Sequence, residues 1–146
     1  MQLTRPAARL IALISLVVGV SAAAQPGPTP GIEGKWLTDD GKAVVVIDHC
    51  GRAICGAIVT VLDKGKNVPT ADIENPDRHL RNRPLVGLTV LSGFHPDGGR
   101  WRGGRAYDPK SGRSYRSTLA LDGARRLVVT GCILFICQSM IWQRLS

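Results

Sequence analysis

The stretch that decides the architecture runs from Ala43 to Leu62: AVVVIDHC, then Gly51-Arg52, then AICGAIVTVL. Both arms are dense in β-branched residues, which suit a pleated, half-buried surface. Between them, Gly51 takes a turn conformation at little steric cost. Ala43–Cys50 and Ala53–Leu62 therefore read as two strands of an antiparallel hairpin.

The same grammar repeats on either side. Ile32–Leu37 carries Trp36 and precedes the turn residues Asp39-Asp40-Gly41. Val86–Phe94 leads into Pro96-Asp97-Gly98-Gly99, and Arg100–Tyr107 holds a Gly103-Gly104 pair that suggests a bulge or bend. Ser114–Leu121 alternates: Tyr115, Ser117, Leu119 and Leu121 share one face, and Arg116, Thr118 and Ala120 the other. Leu127–Gly131 and Ile141–Leu145 complete a set of eight. Most connections are too short for parallel crossovers, so neighbours should be antiparallel. The expected fold is all-β: a small eight-stranded antiparallel up-and-down barrel, whose closure removes exposed edges. An open sandwich is the alternative. One connection breaks the short-turn rule. Asp63 to Leu85, between strands 3 and 4, is long and polar and holds Pro69, Pro76 and Pro84. Loops of this length are usually functional or disordered. Asn75-Pro76-Asp77 signals a helical turn near Asp77–Arg81.

Composition bounds the class. The chain has 146 residues, 44% hydrophobic and 21% charged, which excludes two large domains and long-range disorder. Gly (17) and Pro (9) against 5% aromatics favour turns over long helices. At the start, Arg5 and Arg9, the apolar run Leu10 to Val20, and Ala22-Ala23-Ala24 form the three regions of a secretory signal peptide. The run falls short of the roughly 20 residues that span a bilayer. The expected organisation is a signal peptide over 1–24, a flexible leader over 25–31 (QPGPTPG) and a single barrel domain over 32–146. After cleavage the chain is expected to be no transmembrane protein, and to be periplasmic or secreted.

Cys50, Cys55, Cys132 and Cys137 form an even set in the exported part, which suggests disulfides. Three pairings are open. The local pairs Cys50–Cys55 and Cys132–Cys137 are favoured, because each joins the ends of adjacent strands. Both spacings are C-x4-C, whereas zinc ribbons use C-x2-C, so no metal is expected. No cofactor is expected either.

The motifs, taken in order, resemble a bacterial family of exported proteins catalogued as domain of unknown function 2147. They are Gly34-Lys35-Trp36, Cys50-Gly51 and Cys55-Gly56, then Asp72, Asn75-Pro76-Asp77 and Arg83-Pro84-Leu85-Val86-Gly87. Trp101-Arg102-Gly103-Gly104, Tyr107-Asp108-Pro109, Gly112, Tyr115, Gly131 and Trp142-Gln143-Arg144 follow. The resemblance covers Gly34 to Leu145 and implies similarity to lipocalins and the wider calycin group, small barrels with room for a ligand. It carries over no catalytic residue. It implies that Gly34 and Trp36 on the first strand meet Arg144 of the last strand at the closed end, as structural groups. A guanidinium stacked on the indole gains about 0.5–2 kcal/mol there. Trp142, two residues from Arg144 on the same face, is expected to join them.

Function is less legible. The leading reading is a non-enzymatic exported barrel that binds a small, partly apolar or amphiphilic molecule. Arg81, Arg83, Tyr107 and Tyr115 are placed at the mouth as ligand-orienting groups from their positions alone. The second reading is an envelope structural or interaction module with a filled barrel, and the third a small hydrolase. Gly87, Gly93, Gly103 and Gly104 favour interior space over a filled barrel. Asp72 and Asn75 are expected to order the loop through Asx-type bonds rather than to bind Ca²⁺. The basic and aromatic run Arg100 to Arg116 is expected to be a solvated face with packed rings, and no nucleic-acid partner is expected. His49, His79 and His95 have no metal-ligand spacing, and no G-x-S-x-G, P-loop or H-E-x-x-H motif occurs.

Overall fold

A computed structural model describes residues 31–146. The expected signal peptide (1–24) and all of the expected leader but Gly31 lie outside the described residues. The strands are β1 (Gly34–Leu37), β2 (Ala43–Cys50), β3 (Ala53–Val61), β4 (Thr89–Asp97), β5 (Arg100–Asp108), β6 (Arg113–Asp122), β7 (Arg126–Ile133) and β8 (Ile136–Arg144). Each pairs antiparallel with its neighbour, and β1 pairs back onto β8, so the sheet closes into an up-and-down barrel in strand order. The expected architecture is the observed one.

Several strand boundaries move by one or two residues, and those of β4 and β8 differ most from expectation. β4 begins at Thr89 rather than Val86, because Gly87 and Leu88 form a crossing with β3: Gly87 N–H donates to Ile58 O (2.7 Å) and Ile58 N–H to Leu88 O (3.0 Å). It also continues through Pro96, so the turn shrinks to Gly98-Gly99. β8 begins at Ile136 rather than Ile141. Cys132 stands opposite Cys137 and Ile133 opposite Ile136, which leaves Leu134-Phe135 as the whole turn. The expected bulge lies at Gly103-Gly104, where the β5–β6 register shifts.

Inward side chains form one core, centred on Trp36, Ile47, Ile54, Phe94, Leu119 and Leu127. The strand ends sort into two barrel ends. The first holds the start of β1, the end of β8 and the β2–β3 turn. The second holds the β1–β2, β5–β6 and β7–β8 turns and the long loop between β3 and β4. The loop contains one short 3₁₀ turn, Arg78–Leu80, capped by the Asp77 carboxylate accepting from His79 N–H (2.9 Å). Both local disulfides form, Cys50–Cys55 across β2–β3 and Cys132–Cys137 across β7–β8. No helix among the described residues is long and apolar enough to cross a membrane.

Candidate functional site

The first end is sealed. Trp36 is fully buried and its indole N–H donates to Ile32 O (2.8 Å). The Arg144 guanidinium lies over the indole, 4.2 Å from the ring centroid. Its three nitrogens all donate to backbone carbonyls: Nη1 to Glu33 (2.7 Å), Nη2 to Gly31 (2.6 Å) and Nε to Ala124 (2.8 Å). Stacking and hydrogen bonding together tie the chain before β1 and the β6–β7 turn under the barrel. Gly34 sits at φ +128°, and a Cβ there would approach Arg144 Nη1 to 3.0 Å.

The second end is open. A cavity of about 700 Å³ reaches from the rim into the barrel. Its walls are apolar: Val45, Ile58, Leu91, Ala106, Val129 and the indole of Trp142. Trp142 is only 6% exposed, yet its Nε1 has no hydrogen-bond partner, and no other buried side-chain nitrogen or oxygen among the described residues is in that position. Buried donors normally find acceptors, so this enclosed N–H is an exception, on a ring whose other atoms line the cavity. The expected cluster is therefore divided. Trp142 shares an inward strand face with Arg144, but it borders the cavity above while Arg144 packs on Trp36 below.

The space does not come from the glycines singled out in the sequence. Gly87, Gly93, Gly103 and Gly104 do not line the cavity, and a Cβ on Gly104 would fall 2.4 Å from the Phe94 ring. Gly131 and the short side chains of Ala43, Ala71 and Ala106 do line it.

The rim carries five carboxylates (Asp39, Asp40, Asp63, Glu74 and Asp108) against two ammonium groups, Lys42 and Lys110. Lys42 pairs with Asp63 (2.9 Å) and Lys110 with Asp40. Burial alone would raise the Asp40 carboxyl. Donors from Lys110, Thr38 and the Lys42 backbone outweigh it and lower its pKa to about 2. The rim is therefore anionic at neutral pH, although the whole chain carries +8.

One wall of the opening is the long loop, which is held by a buried polar node. Asp72 is fully buried. Its Oδ1 accepts from Tyr107 Oη (2.6 Å), and its Oδ2 accepts from Asn75 Nδ2 (2.8 Å) and Arg83 Nε (2.8 Å). Arg83 Nη2 approaches the same oxygen at 2.8 Å. Burial pushes the Asp72 carboxyl up, and these donors more than reverse it, so it ionises below the usual carboxylate range. Burial, followed by the neighbouring Asp72, raises the Tyr107 phenol. Gly112 lets the loop lie against the β5–β6 turn, since a Cβ there would fall 1.9 Å from Glu74 O.

The four positions expected to orient a ligand divide. Tyr107 and Tyr115 line the cavity. Arg81 and Arg83 do not line it: Arg81 Nε donates to Asn75 O (2.7 Å), and Arg83 neutralises Asp72 with its guanidinium over the Tyr107 ring, 5.6 Å from the centroid. Sequence reading found the members of the node but not their union, and it missed the Trp142 donor and the acidic rim. No group of three or more His, Cys, Asp or Glu among the described residues is arranged to hold a metal ion.

A family model described as uncharacterized protein conserved in bacteria (DUF2147) matches residues 34–144. No curated protein matches the chain. Among solved structures, the chain is similar to a protein from the human pathogen Helicobacter pylori described as belonging to the lipocalin family. The TM-score is 0.71 and the identity 24%, over 81% of this chain and 85% of that one. The barrel is thus lipocalin-like in fold.

Proposed function

We propose, from the premise that this chain belongs to the bacterial DUF2147 family, that its lipocalin-like barrel binds a small, largely apolar molecule and performs no chemistry on it. The observation that carries this reading is the cavity of about 700 Å³, with apolar walls that include the Trp142 indole. Burying apolar ligand surface at roughly 25 cal/mol/Å² supplies the affinity. A turn of the indole toward the cavity would bring its enclosed N–H to a neutral acceptor, such as a carbonyl or ether oxygen placed deep in the barrel, and fix orientation. The acidic rim suits a neutral or cationic outer group better than a carboxylate. Tyr107 and Tyr115 flank the passage.

The cavity favours this reading over a filled interaction module. The histidines lend a hydrolase no support, because none lines the cavity: His49 pairs with Glu33 (3.0 Å) at the sealed end, His79 sits in the 3₁₀ turn and His95 on β4. The two disulfides suit an oxidising compartment, and with the amino-terminal sequence they support export to the periplasm or beyond.

Native mass spectrometry of protein isolated from its own cells tests the proposal. A reproducible extra mass, removable by organic solvent, is expected. Trp142→Phe should retain about fivefold less of it, the worth of one hydrogen bond. Protein that is always empty, and that also fails to bind the neutral carbonyl dye Nile red saturably, would overturn the reading.

A further inference from the structure

The β7–β8 hairpin ends in four consecutive exposed apolar residues: Ile133 (51% exposed), Leu134 (90%), Phe135 (88%) and Ile136 (66%). Such a run at a turn is unusual, because turns are ordinarily built from Gly, Asn, Asp, Pro or Ser. Leu134 also adopts φ +55°, a left-handed conformation that strains a residue with a branched side chain and that glycine would adopt freely. The Cys132–Cys137 disulfide closes the hairpin immediately below the tip. Toward β1, the pairing of β8 stops at Gln143, so Ile136 to Trp142 has no strand partner on that side, and Ile133 to Ile136 projects beyond the last β6–β7 pair, Arg116 with Cys132.

The side-chain charge on the strands that flank the tip is mainly positive. From Leu127 to Ser146 the sequence contains no Asp or Glu. On the adjoining strands Arg116 pairs with Cys132, Arg105 pairs with Arg116, and Arg113 opens β6 at the same end of the barrel. All three arginines are exposed, and none forms an ion pair with a described residue. Of the rim carboxylates, Asp108 stands opposite Arg113 in the β5–β6 register, and the others lie on the β1–β2 and β3–β4 connections. An apolar tip flanked by unpaired guanidinium groups matches a bilayer with anionic headgroups, which takes apolar side chains beneath the headgroups and cations among them.

We infer that this stapled hairpin docks the protein, tip first, on an anionic lipid surface. Leu134 and Phe135 enter the interface, and Arg105, Arg113 and Arg116 contact headgroups. Ile136 continues along β8 into Gln138, Met140 and Trp142, which line the cavity, so the docked hairpin is also one wall of the cavity, while the acidic remainder of the rim stays on the water side. The inference does not depend on the cavity holding a ligand.

Vesicle flotation tests it, with the full chain expressed and its amino terminus fixed by intact mass. Every variant is compared with wild type in that same form. Wild type should float with phosphatidylglycerol vesicles, weakly with phosphatidylcholine, and less as salt rises. Leu134→Ser with Phe135→Ser should lower binding roughly tenfold or more, since burying one large apolar side chain is worth at least a tenfold step. Leu134→Gly should also weaken binding while leaving the melting temperature unchanged or higher, which separates docking from folding. Arg113→Gln with Arg116→Gln should remove the preference for phosphatidylglycerol. Binding unaffected by the tip substitutions, or equal on both vesicles at all salt concentrations, would overturn the inference. So would a tip-dependent dimer in solution with no vesicle binding.

Discussion

The two ends of this barrel use similar parts to opposite effect. Each has a hairpin closed by a C-x4-C disulfide, and a buried tryptophan faces each way, Trp36 toward the seal and Trp142 toward the cavity. At the sealed end, Trp36 has its N–H paired, its face covered by Arg144, and every nitrogen of that arginine satisfied. At the floor of the cavity, two residues from Arg144 along β8, the Trp142 ring lines the space and its enclosed N–H has no partner. The hairpins differ likewise: Cys50–Cys55 encloses Gly51-Arg52-Ala53-Ile54, and Cys132–Cys137 encloses Ile133-Leu134-Phe135-Ile136. Satisfied polar groups mark the end that holds the fold. Unsatisfied polar and exposed apolar groups mark the end that meets something else.

The largest effect should come from the sealed end. Trp36→Ala should cost about 3–5 kcal/mol in equilibrium urea unfolding, because it empties the core and removes the surface on which Arg144 lies. Next comes the node that fixes the loop. Asp72→Ala should cost about 3 kcal/mol, since it leaves Arg83 and its companion donors without their buried acceptor. Limited proteolysis within residues 63–85 should accelerate before the barrel melts.

The hairpins give a sharper contrast. Their disulfide rings are of equal length, so replacing either cysteine pair by serine should cost about 2 kcal/mol by thermal unfolding. Only the Cys132–Cys137 replacement should also reduce vesicle binding. Acid should act on the loop in a fixed direction. Asp72 ionises below its ordinary value of 3.8 in the folded state. Its stabilisation is therefore complete above that value and is lost as pH falls through the lower folded pKa. Loop protection in hydrogen exchange should hold from neutral pH to about pH 4 and then decline, and Asp72→Asn should flatten that acid limb. The smallest effect should be Trp142→Phe, within about 1 kcal/mol of wild-type stability, because it deletes a donor that has no partner.

Legibility followed the same division. The β2–β3 hairpin was readable because β-branched arms flank a glycine turn, and the structure places β2 at the expected residues and ends β3 one residue earlier. The start of β8 was not, because Leu134-Phe135 carries none of the usual turn chemistry and Cys132 to Met140 shows no clean alternation. Trp36 and Arg144 came from a motif pair whose roles the barrel topology fixes. Arg83 and Tyr107 were noticed singly. Their convergence on Asp72 joins positions 11 and 35 residues apart, which no local pattern encodes. Cavity volume and the unpaired Trp142 donor are properties of packing and have no signature along the chain.

The most direct test of the contrast between the ends follows the indole N–H resonances of Trp36 and Trp142 in ¹H–¹⁵N spectra during titration with Nile red. Saturation should shift the Trp142 resonance and slow its exchange with water, while Trp36, already bonded to Ile32, stays in place. Bound dye that leaves Trp142 unmoved, or that shifts Trp36 instead, would contradict the account.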